Sequence, residues 1–323
     1  MRWIGGSESY DAPVATTGSG HGAVIVVVMT LIATAVAACS TGSVTRPTAA
    51  RPTAVVSTLA SMSSASTPSP RMLVPGLPAA HIHAVGVNFG GFLYLATHLG
   101  LFRVDRNGAQ RVGPVLDLMS FTVAGPDHFY ASGHPGAGSK LTDPLGLIES
   151  TDGGKTWKQR SLAGESDFHA LSSSGRIMFG FDGTLKSSVD AGTTWQQQAG
   201  AGSVLSVATA PGGDPTIVAR TAGIIRLTGP GSTPRAVVGA PKLELVSWAA
   251  LFNVVGTTSD GTVYASTDAG LTWQRKGTVG GPVQAMVSFA DGEGNLEVLA
   301  ATSTALLQSF DTGGHFAPYA TTA

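Results

Sequence analysis

Ser150–Trp157 reads STDGGKTW, a polar turn that closes on a tryptophan. The same grammar returns as SVDAGTTW at Ser188–Trp195 and as STDAGLTW at Ser266–Trp273, and a worn copy, SFDTGGHF, runs from Ser309 to Phe316. The first serines stand at 150, 188, 266 and 309, giving spacings of 38, 78 and 43 residues. The middle spacing holds two units, one of which has lost its motif near LTGPGSTP at Leu227–Pro234. Upstream, LFRVDRNGAQ at Leu101–Gln110 keeps the strand, the aspartate and the glycine but has no tryptophan. A period of about 40 residues with four short strands per unit is the mark of a β-propeller.

Each unit can be followed along the chain. The first holds HIHAVGV, FLYLAT and GLFRV, and the sixth holds PVQAMVSF, LEVLAAT and ALLQS. From Met72 to Ala323 there are 252 residues, or about 42 for each of six units. The expectation is an all-β, six-bladed β-propeller over residues 72–323. Forty-three glycines and only 12% charged residues fit a chain of many tight turns.

The octapeptide, S-x-D-x-G-x-T-W, resembles the Asp-box, or bacterial neuraminidase repeat, found in sialidases, sortilin-type receptors and secreted bacterial propellers. The resemblance implies that each copy lies on the hairpin joining the third and fourth strands of a blade. Asp152, Asp190, Asp268 and the worn Asp311 are then acceptors for N–H groups of the turn. Gly154, Gly192 and Gly270 supply a positive φ. Trp157, Trp195, Trp273 and, in the worn copy, Phe316 wedge between blades, a tryptophan burying on the order of 200 Å². The motif reads as a fastener rather than a calcium loop, which needs several oxygen ligands where each box offers one carboxylate.

Ahead of the propeller, Ala23–Ala38 is a run of sixteen uncharged residues, short of the roughly 20 needed to span a bilayer. It ends in Val36-Ala37-Ala38-Cys39, which resembles the lipobox of bacterial lipoproteins. Residues 1–38 are thus expected to be a signal peptide and Cys39, the single cysteine, the lipidated residue. An uncleaved anchor or a plain signal peptide are the alternatives, and all three place the folded part outside the cytoplasm. Residues 39–71, rich in Ser, Thr, Ala and Pro, are expected to form a mobile tether. A net charge of −1 gives no electrostatic reason to expect nucleic acid as a partner.

Function must be argued from a site, not a fold. Membership of the sialidase branch implies a tyrosine nucleophile, three arginines and an acid aspartate. Phe102-Arg103-Val104-Asp105 is only a distant echo of the sialidase Phe-Arg-Ile-Pro motif, and Tyr94, Tyr130 and Tyr264 fall on strand patterns that point into blade sandwiches. The histidines are more informative. Aligned first strands put His83 level with His169 and Gln284, with His81 two residues before His83. His98 and His134 each follow a second strand, near one rim, whereas His128 reads as a turn residue. Glu165 and Asp167 flank His169. A ligand site is therefore expected from His81, His83, His98, His134, His169 and Asp167. His81, His83 and His169 are its candidate ligands for a transition metal such as zinc or copper.

Three readings stay open. One is a membrane-anchored binding propeller for a glycan or a metal. Another is a glycoside hydrolase with paired carboxylates, as similar secreted lipoproteins are labelled. The third is an assembly factor whose partner is an envelope protein.

Overall fold

The computed structural model describes residues 74–76, 80–291 and 293–320. The signal peptide expected at 1–38, the tether at 39–71 and the lipidation site Cys39 lie outside the described residues. Among the described residues no helix is long and apolar enough to cross a membrane.

Six four-stranded antiparallel sheets follow one another along the chain, each in strictly sequential strand order. The innermost strands are Ile82–Val87, Leu116–Val123, Ala170–Ser174, Val204–Thr209, Leu245–Ala250 and Ala285–Ala290. Together they line a central cavity of about 320 Å³. This is the six-bladed propeller that the repeat spacing predicts. The ring closes without strand exchange, because the first unit owns its outer strand, Gly108–Val112. Closure rests on an apolar cluster shared by blades 1 and 6, including Ile82, Leu95, Leu299 and Leu306, and on the Ile82 N–H donated to Gln284 Oε1 at 3.2 Å.

The boxes fasten the blades as their chemistry requires. Ser150 Oγ donates to Asp152 Oδ1 at 2.8 Å and accepts from the Gly154 N–H at 2.9 Å. Asp152 then accepts the Thr156 N–H at 2.9 Å and the Thr156 hydroxyl at 2.6 Å. Asp190 with Thr194 and Asp268 with Thr272 repeat the pattern. In the worn box His315 takes the threonine's place, its ring nitrogen 2.6 Å from Asp311. Gly154, Gly192, Gly270 and Gly313 all have φ between 76° and 89°, a region costly for residues with a Cβ.

Each box aromatic packs at the boundary with the preceding blade. Trp157 lies against the cluster joining blades 1 and 2, Trp195 against that joining 2 and 3, Trp273 against 4 and 5, and Phe316 against 5 and 6. The boundary between blades 3 and 4, where the motif is lost, is filled instead by Phe179, Leu185, Val204, Val218 and Ile225. Hydroxyls near the axis add a second set of staples. Ser172 accepts the Thr209 N–H, Ser206 that of Val246, and Ser247 that of Ser288, each from the next blade. Much of the polar lining of the channel is thereby committed to structure.

Candidate functional site

Strand direction sorts the molecule into two faces. The inner strands start, and the second strands end, at one mouth of the channel; the boxes sit at the other, where Gly153, Ala191 and Ala269 donate to the turns between first and second strands. The box mouth is structural. The opposite mouth carries His81, His83, His98, His134 and His169.

Blade 1 supplies three of them. His83 is the extra residue at a register irregularity between Ile82 and Ala84, and such a bulge re-aims its side chain. It lines the channel cavity. His98 stands in the turn after the second strand, where Thr97 Oγ1 accepts the Leu99 N–H and donates to the Gly100 carbonyl. Because Thr97 is paired opposite Ile82, this turn brings His98 back beside His81 and His83. The rings of His81 and His83 are 4.6 Å apart and those of His83 and His98 4.4 Å. His83 Nε2 lies 3.1 Å from His98 Nε2, and His98 Nδ1 lies 2.7 Å from Asp117 Oδ1, in blade 2. Burial, then the neighbouring His81 and His98 rings, push His83 down to about 4; burial and His98 also lower His81. His83 is a neutral imidazole at pH 7, fit to donate a lone pair.

Asp117 links this group to a second one. It is paired directly across from His134 on the neighbouring strand. His134 Nδ1 meets Asp143 Oδ1 at 2.6 Å, and its Nε2 meets Asp167 Oδ2 at 3.2 Å. The same Asp167 oxygen lies 2.9 Å from His169 Nε2. The Asp143 hydrogen bond raises His134 above the ordinary histidine value, burial opposing and Asp167 assisting. Among the described residues, Asp167 Oδ1 is buried with no hydrogen-bonding partner.

The structure thus gathers all six residues expected at the site, in two adjoining groups: His81, His83 and His98, then His134, Asp167 and His169. His83 and His169 both line the channel, as their alignment suggests. The donor atoms that cluster within 4.8 Å of one another are those of His83, His98 and Asp117; His169 is engaged with Asp167 instead. Glu165 is exposed. Sequence reasoning missed Asp117 and Asp143. Asp117 is the second residue of an inner strand, the level at which His83 stands in blade 1, and that alignment was the available signal.

The other residues weighed for chemistry are structural. Tyr94 and Tyr130 are buried between blades, where burial raises both phenols, and Tyr264 packs at the boundary of blades 4 and 5. Arg103 pairs with Asp105 and lies over the Phe92 ring. His128 meets Glu149 at 2.7 Å, which in turn holds Arg160.

Residues 148–159 match the family model described as BNR/Asp-box repeat. The chain carries the Asp-box. No curated protein matches it. Among solved structures it is similar to the extracellular domain assigned to a hybrid two-component system from B. thetaiotaomicron, at 12% identity and TM-score 0.51, covering 77% of this chain and 34% of that one. It is similar to virginiamycin B lyase from Staphylococcus aureus at 10% identity and TM-score 0.50, covering 75% and 85%. It is also similar to a GH74 xyloglucanase from Xanthomonas campestris at 16% identity and TM-score 0.49, covering 74% and 45%. The chain therefore spans under half the length of the xyloglucanase and of that extracellular domain. At these identities the likeness is one of fold alone.

Proposed function

We propose that this chain is a ligand-binding propeller, held outside the cytoplasm through a lipidated Cys39, whose recognition surface is the histidine mouth of the channel. One observation carries the reading: five histidines and three aspartates from three successive blades converge on that mouth. Such a group is expensive to gather without a use, since nearby imidazoles depress one another's protonation. The box mouth, by contrast, is accounted for by fastening. A rim rich in imidazole and carboxylate, above a narrow channel, suits a glycan or a metal ion. Anchoring is supported by the uncharged run ending at Cys39. The use of this fold in the extracellular domain of a two-component system is an analogy in the same direction.

The test is a glycan panel and a divalent-metal series against the full chain in detergent, beside Asp167→Asn and His134→Ala. Binding that falls in the rim variants supports the reading, and binding indifferent to both sinks it. Turnover of a fluorogenic glycoside that disappears in Asp167→Asn makes the rim catalytic instead. Cys39→Ala is expected to release the chain from the membrane fraction.

A further inference from the structure

The ligand class can be narrowed, on the reading of this mouth as the recognition surface. His83 Nε2 lies 3.1 Å from His98 Nε2 and 3.4 Å from His98 Nδ1, and one donor atom each from His83, His98 and Asp117 all lie within 4.8 Å of one another. A tetrahedral ion with ligands at about 2.0–2.1 Å sets neighbouring donors about 3.3 Å apart. The two imidazoles therefore already stand at ligand spacing, with an Asp117 carboxylate oxygen 2.7 Å from His98 Nδ1. A hydrogen bond between the two rings accounts for the 3.1 Å contact alone. It does not account for a third donor from a neighbouring blade beside the pair, or for His81, whose ring is 4.6 Å from that of His83.

We propose that His83, His98 and Asp117 form a binding site for a divalent transition-metal ion, with a fourth position open to the channel mouth. Two imidazoles and one carboxylate suit zinc or copper; calcium and magnesium prefer oxygen donors throughout. The ligands are well anchored. His83 is set by the bulge of an inner strand, His98 by a hydrogen-bonded turn, and Asp117 by the start of the next inner strand. With three protein ligands the ion keeps a place for water or for an anionic group of a larger ligand.

The experiment is isothermal titration of the full chain in detergent with zinc chloride alone, with bound metal counted by elemental analysis. The expected result is one ion per chain, with affinity falling at least about tenfold in His83→Gln, His98→Gln and Asp117→Asn. His315→Thr, at the box mouth, keeps the parental affinity. His98 is exposed and lies outside the buried core, so its replacement spares the fold and its loss of binding reports ligation rather than folding. Unchanged affinity in all three rim variants, or equal loss in His315→Thr, overturns the site. A chain that binds a glycan through His134 and Asp167 but takes up no zinc sinks the metal site and leaves the recognition reading intact. A chain that binds neither sinks both.

Discussion

Gln198 and Ser232 clasp the two blades that lack a box between them. The Gln198 side chain, buried at the end of blade 3, donates from Nε2 to the Ser232 carbonyl at 2.6 Å and accepts the Gly231 N–H on Oε1 at 2.8 Å. Both partners lie in LTGPGSTP, the hairpin whose motif is lost. A two-pronged amide thus does at this boundary what a tryptophan does at three others and Phe316 at a fourth. Gln198→Ala is expected to leave two backbone groups unpaired and to cost about 1–3 kcal/mol. It should show as a lower urea midpoint with unchanged slope; a midpoint equal to the parent's refutes the clasp.

Gly192→Ala tests how tightly a box is pressed on its neighbour. A Cβ at Gly192 would stand 2.2 Å from Leu147 Cδ2 of blade 2, at φ 76°. The expected loss is at least about 2 kcal/mol, from left-handed backbone plus overpacking. Gly183→Ala, also at positive φ but in open space, isolates the backbone share. Equal midpoints for the two variants would mean that the boundary yields freely.

Acid should loosen the boxes. The Thr156 hydroxyl and N–H hold Asp152 down to about 2, and Asp268, although burial pushes it up, is drawn to about 2 by Thr272. Asp190 and Asp311 are held well below the usual carboxylate range by their turn donors. Groups whose folded values are depressed stabilise the fold above their unfolded value, 3.8, and lose that contribution as pH falls through the folded values. Urea midpoints are expected to drop steeply from pH 4 to pH 2, and less steeply in Asp152→Asn. A flat profile would contradict the role given to these carboxylates.

The rim carries the opposite sign at one residue. His134 is raised above 6.5, chiefly by Asp143, so its contribution to stability is complete below 6.5 and is lost as pH rises through the folded value. Proton NMR of the imidazole should show Asp143→Asn moving its titration to lower pH. An unmoved midpoint would detach the two residues.

The architecture was legible because it is written several times. A turn that needs Ser, Asp, Gly and Trp at fixed offsets leaves the same letters wherever it forms, and strand positions follow from the period. His83 and His169, or His98 and His134, could be compared because they hold equivalent places in successive units. Their partners could not. Asp117 faces His98 across a blade boundary, and Asp143 reaches His134 from a loop with no counterpart in the other units, so neither pairing has a periodic trace. Gln198 was hidden for the same reason: its role exists only where the repeat has decayed. Nor did the alignment reveal that His98 folds back beside His81, though the hairpin register opposing Thr97 to Ile82 contains that information.

The first and last blades meet face to face, each sheet whole, joined by the Ile82–Gln284 hydrogen bond and a patch of apolar side chains. Propellers that borrow a strand from one terminus to complete a sheet at the other lock their ends together. Here every blade is a self-sufficient module, so a gene of this kind can duplicate or delete one unit, or begin at a different one, without rewriting either terminus. The rim histidines occupy the first three modules, and the remaining three are free to diverge, as the decayed fourth already has.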